Sequence, residues 1–129
     1  VPEVKRGLVA GAGGVIRLPR RIPYHVAMEY VLTGDMMTAA DAHRFGLVNR
    51  VVPKGQALQA AIELANRITA NGPLALIASK RVVVESADWS LQEMWAKQAE
   101  IINPVFTSAD AREGAAAFAE KRAPVWQGK

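Results

Sequence analysis

Two neighbouring groups of residues in this chain could do chemistry. Glu3 stands directly after Pro2, a carboxylate behind a backbone position of fixed φ. Gly11, Gly13 and Gly14 then fall within four consecutive residues, Gly11-Ala-Gly-Gly14. A carboxylate whose pKa is raised by burial can serve as general acid or base. Free backbone N–H groups where a glycine loop opens a helix favour anions, ordered water or a developing oxyanion. Each group also has a plainer alternative. Glu3 could be a solvated surface glutamate, and the glycines a tight turn or a close helix contact.

Several chemistries are excluded by spacing or absence. Ile16 stands where G-x-G-x-x-G needs its last glycine, and no Gly-Lys-Ser/Thr follows the cluster. Dinucleotide and nucleoside-triphosphate loops therefore fail. No G-x-S-x-G nucleophile elbow is present. The absence of cysteine removes disulfides, thiolate nucleophiles and cysteine metal sites. His25 and His43 lack ligand-like spacing, so no metal site is expected.

The elements that must hold these residues can be read from periodicity and punctuation. A short helix is expected from the glycine cluster to about Leu18, with Pro19 and Pro23 breaking the next stretch. Val26, Met28, Val31 and Leu32 give a helix over Tyr24–Leu32, stopped by Gly34. Thr38-Ala-Ala-Asp41 is a capping box in outline and starts a short helix to about Phe45. Leu47–Val52 is apolar and β-branched between Gly46 and Pro53, which predicts a strand. Beyond Gly55, Leu58, Ala61, Ile62, Ala65 and Ile68 form one helical face. Gly72-Pro73 stops that helix and starts another over Leu74–Ser86. Ser90-Leu-Gln-Glu93 caps a further helix with a face of Leu91, Met94, Trp95, Gln98, Ile101 and Ile102, ended by Pro104. Thr107-Ser-Ala-Asp110 caps the last, which carries Ala111, Ala115 and Phe118 and ends before Pro124. Phe118–Lys129 reads as a solvated helix end. A lone strand is unstable by itself. The expected architecture is thus the helical end of an α/β protein, with part of the sheet elsewhere.

Bulk composition agrees with a folded domain. The chain has 129 residues, of which 50% are hydrophobic and 22% charged, and this is globular rather than disordered composition. Apolar runs such as Leu74–Ala78 fall well short of the roughly 20 residues of a membrane span. No signal-peptide pattern is visible, and a cytoplasmic protein without membrane attachment is expected. The net charge of +4 favours anionic partners. Basic clusters occur at Lys5-Arg6, Arg17/Arg20/Arg21, Lys80-Arg81 and Lys121-Arg122. No aromatic residues interleave with them, so nucleic acid is not the expected partner.

The motifs taken in order resemble the crotonase superfamily of enoyl-CoA hydratases and isomerases. The resemblance runs through Pro2-Glu3, Gly7, Gly11-Ala-Gly-Gly14 and Arg17-Leu-Pro-Arg20. It continues through Leu32-Thr-Gly34, Ala39–Ala42 and Gly46-Leu-Val-Asn-Arg-Val-Val-Pro53. It ends with Ser108-x-Asp110-x-x-Glu113-Gly114 and Phe118-x-Glu-Lys-Arg122. It covers the C-terminal half of the family pattern, and implies an α/β spiral of ββα repeats in the parent fold. This part would be mainly α-helical with one or two short strands. Residues 1–55 would close the core and carry one catalytic segment, and residues 56–129 would form a helical region for oligomerisation and CoA contact. The missing N-terminal half would hold the other catalytic glutamate and the oxyanion donors.

The resemblance also assigns roles. Glu3 matches the family's second catalytic glutamate. Gly11 matches the residue whose backbone N–H helps hold the catalytic water. Lys121 matches a lysine that reaches the CoA phosphates of a neighbouring subunit. Ile102 stands where some members have an aromatic near the adenine. The implied activity is an enoyl-CoA hydratase acting on an acyl-CoA thioester without cofactor or metal. The implied assembly is a homotrimer or a dimer of trimers. An isomerase or another acyl-CoA enzyme of the family, and a non-catalytic trimerisation or CoA-binding module, are the alternatives.

Overall fold

Glycine and proline set most of the element boundaries, as their backbone restrictions require. A computed structural model describes all 129 residues. Seven α-helices are present: α1 (Gly14–Arg17), α2 (Tyr24–Thr33), α3 (Ala39–Arg44), α4 (Ala57–Thr69), α5 (Pro73–Glu85), α6 (Met94–Phe106) and α7 (Ala109–Glu120). Short 3-10 helices cover Pro2–Arg6, Leu18–Arg20 and Ser86–Asp88. The chain divides into two compact units, Val1–Leu58 and Gln59–Lys129.

In the first unit, Gly34 ends α2 in the left-handed conformation at φ 68°, its N–H donating to Tyr30 O at 3.1 Å. Thr38 caps α3: its Oγ1 accepts from Asp41 N–H at 3.0 Å and donates to the Asp41 carboxylate at 2.7 Å. Thr38 is thus the N-cap the motif predicts, while the Asp41 carboxylate binds the Thr38 hydroxyl instead of reaching back to its backbone N–H. A small core forms from Ile22, Val26 and Ala27, flanked by Leu18, Tyr30, Met37 and Phe45. α2 thus turns Val26, Ala27 and Tyr30 inward, and Leu32, expected on that face, is 63% exposed.

The strand expected at Leu47–Val52 does not form, and the chain contains no strand at all. Leu47 and Val48 N–H instead close the end of α3 on Ala42 O, at 2.8 and 3.3 Å. The physical reason is the lack of a partner. An extended segment gains its stability from a ladder of inter-strand hydrogen bonds, and no second segment here supplies one.

In the second unit, Pro73 opens α5, and α5 packs on α6 around the buried Ala78. Ser90 Oγ accepts from Glu93 N–H at 3.3 Å and donates to the Glu93 carboxylate at 2.6 Å, but α6 starts only at Met94, with Glu93 rather than the expected Ser90 at its N-cap. Pro104 does not end α6, which runs on to Phe106. A proline this close to a helix end forfeits a single backbone bond. Val105, just beyond it, lies in the crevice with Ala78 of α5. Ser108 rather than Thr107 caps α7, accepting from Ala111 N–H at 2.9 Å. α4 forms where its periodicity places it, yet its stripe faces outward: Leu58 is 73% exposed, and Ile62 and Ile68 nearly half. No helix is long and apolar enough to cross a membrane.

Candidate active site

Glu3 rides on a single 3-10 turn. Pro2 occupies the first helical position, where its missing N–H costs nothing. Gly7 ends the turn at φ 70°, donating to Val4 O at 3.1 Å, and Leu8 N–H donates to Glu3 O at 3.1 Å. Two glycines allow this turn to seat closely. A Cβ at Gly14 would stand 2.9 Å from Val1 Cγ1, and one at Gly34 would stand 2.9 Å from Val4 Cγ1 and 3.0 Å from Lys5 Cγ. Val1 and Val4 are three residues apart, the spacing that superposes side chains along a 3-10 helix. Lys5 adds an ion pair to Asp35 at 2.7 Å, just past Gly34. That contact holds the Asp35 carboxyl below its usual range, chiefly through the hydrogen bond from Lys5.

The Glu3 carboxylate is the one side-chain group in the chain with a buried oxygen left without a partner. Its Oε2 is shielded from solvent and meets no donor. Buried acceptors are ordinarily satisfied, so an orphan of this kind calls for an explanation. The glycine loop touches the Glu3 turn through Val1 and Gly14. Within the loop, Gly11 N–H donates to Val9 O at 2.7 Å, closing a three-residue turn, and Gly11 is exposed. Gly13, at φ 92°, leads into α1.

A cavity of about 370 Å³ opens beside these elements, lined by Val1, Gly14, Leu18, Tyr30, Met36 and Met37 among others. Glu3 and Gly11 are not among its walls. His25 is exposed on α2. His43 Nδ1–H donates to Val48 O at 3.2 Å, a local structural bond.

Lys121, in the second unit, ends α7 at φ 54° and is the only non-glycine residue with positive φ. It is exposed and enters no ion pair, whereas its neighbour Arg122 is bound on both sides. Arg122 Nη1 and Nη2 grip the Glu113 carboxylate as a fork, and Nε donates to Glu120. The fork from Arg122, followed by Val125 N–H, holds the Glu113 carboxyl down at about 2. The same carboxylates push Arg122 up, Glu113 first and Glu120 second.

The tail after α7 is not a solvated helix end. Trp126 Nε1 donates to Ala70 O at 2.9 Å, and its ring lies against Gly72 and Gly114. Asp110, buried, accepts from Gln127 N–H at 2.7 Å and Gly128 N–H at 3.0 Å. Its own N–H donates to Lys129 O at 3.0 Å. Sequence reading missed this clasp, and it missed Gly34 and Val4 as the seat of Glu3. The available signals were Asp110 and Glu113 on one face of α7 and a tryptophan just after Pro124.

The family model described as enoyl-CoA hydratase/isomerase matches residues 1–129. The enoyl-CoA hydratase EchA19 of Mycobacterium tuberculosis is 46% identical over 129 residues, covering 100% of this chain and 48% of that protein. A carnitinyl-CoA dehydratase of Salmonella typhi is 40% identical, covering 100% of this chain and 51% of its own length. The crystal structure of an enoyl-CoA hydratase from Mycobacterium marinum superposes with a TM-score of 0.96 at 60% identity, covering 100% of this chain and 51% of that one. The chain therefore spans about half the length of the relatives it matches.

Proposed function

The chain belongs to the enoyl-CoA hydratase/isomerase family, and from that premise we propose that it supplies an acid/base carboxylate to a hydratase of 2-enoyl-CoA thioesters. The observation that carries this reading is the Glu3 carboxylate, whose buried Oε2 has no partner. Hydration places a water oxygen on C3 and a proton on C2 of the enoyl thioester, passing through an enolate-like species. Glu3 would hold or transfer one of those protons. A second carboxylate, and donors for the enolate oxygen, would come from the remainder of a protein of its relatives' length.

Gly11 would assist through its backbone N–H, sharing it between Val9 O and the catalytic water. Lys121 would reach the CoA phosphates of a neighbouring subunit in a trimer or dimer of trimers, in the cytoplasm. The reaction calls for no metal or separate cofactor, since acyl-CoA is itself the substrate. Isomerisation of the double bond by the same carboxylate is the second reading.

The test is Glu3→Gln in the enzyme completed to its relatives' length. We expect kcat for hydration to fall by orders of magnitude, about 10²-fold or more, with KM nearly unchanged. Near-normal hydration by the Gln variant sinks the assignment. Assay of both hydration and double-bond migration separates the two readings.

A further inference from the structure

Lys121-Arg122 reads in sequence as one basic pair, yet the two side chains have opposite fates. Four of the five N–H donors of the Arg122 guanidinium are spent inside the protein: two on Glu113, one on Glu120, and one on Ala123 O at 3.3 Å. Lys121 has no partner and stands in the left-handed conformation, which a side chain adopts at a cost and glycine would adopt freely. A lysine kept where glycine is cheaper implies that its side chain is wanted there.

The backbone around it is fixed from both sides. Lys121 N–H donates to Phe118 O at 3.3 Å and Arg122 N–H to Ala117 O at 3.0 Å. Glu113 joins the turn to the tail beyond it, accepting from Arg122 and from Val125 N–H at 2.8 Å. Release of the Arg122 side chain would leave those two backbone bonds alone to hold the turn.

We propose that Arg122, gripped by Glu113 and Glu120, is a positioning residue. It holds Lys121 in its left-handed turn and so aims the ammonium at the phosphates of an acyl-CoA. The inference rests on the reading of Lys121 as a CoA contact, and goes beyond it by naming what presents that lysine. Arg122 itself touches no ligand.

The test compares two substrates in the completed enzyme: an acyl-CoA and the matching acyl-pantetheine, which lacks the nucleotide phosphates. Arg122→Gln and Glu113→Gln should each raise KM for the acyl-CoA about tenfold while leaving kcat within about twofold. KM for the acyl-pantetheine should not move. Arg122→Lys, which keeps the charge and loses the fork, should behave like Arg122→Gln. Lys121→Gly should raise KM for the acyl-CoA to the same extent while unfolding no earlier than the wild type. Equal KM changes for both substrates would show general structural damage and overturn the proposal. A normal KM in the Arg122 variants beside a raised KM in Lys121→Gly would overturn it and leave the lysine contact standing. A normal KM in Lys121→Gly would remove that contact, and the positioning role with it.

Discussion

Val4 Cγ1 lies 2.9 Å from the point that a Cβ on Gly34 would occupy, so the end of α2 and the turn carrying Glu3 can meet only because residue 34 has no side chain. Lys5 and Asp35 tie the same two elements together at 2.7 Å. The seating of the turn that carries Glu3 therefore depends on residue 34 having no side chain.

Gly34→Ala should strain both backbone and packing. The left-handed conformation at φ 68° costs alanine about 1 kcal/mol, and forcing Val4 and Lys5 aside adds about 1–3 kcal/mol. Urea unfolding should show an earlier midpoint, and kinetics on the completed enzyme should show kcat falling more than KM rises. Adding Val4→Ala should restore part of the lost kcat, because it clears the clash. A double variant no better than the single one would argue against the steric route.

The Glu113–Arg122 fork gives stability a defined pH dependence. Glu113 is held at about 2 in the folded chain against an ordinary 4.5, so the folded state binds its proton less readily than the unfolded state does. Its contribution is fully present above the ordinary value and is lost as pH falls toward about 2. Unfolding curves of the wild type and Glu113→Gln should differ most near neutral pH and converge in acid. Curves that stay equally separated to the lowest pH would contradict this.

Asp110→Ala should loosen the tail. The substitution leaves the Gln127 and Gly128 N–H groups without their acceptor, a loss of about 2 kcal/mol in total. Trp126 would then leave Ala70 O, and its fluorescence should shift to the red. Proteolysis should cut beyond Ala123 before it cuts elsewhere. Unchanged Trp126 emission would show that the indole contact alone secures the tail.

What was legible in the sequence was the local part of the fold. Thr38 with Asp41, Ser90 with Glu93, and Gly34 after α2 act through neighbours within a turn, so their types and spacing suffice. The strand expected at Leu47–Val52 failed because strand formation depends on a partner that local sequence does not reveal. Pro104 misled because a proline two residues from the end of a helix forfeits only a single backbone bond. In the candidate site, Glu3 and Gly11 stood out by type and position, and the resemblance assigned their roles. The contacts that seat Glu3 join residues about thirty apart, and Trp126 reaches back fifty-six positions to Ala70. No spacing rule registers pairs at that distance.

The outward stripe of α4 gives the chain a sticky side. Leu58, Ile62 and Ile68 are shown to water along one helix face, a cost in solubility that the core residues of the chain do not carry.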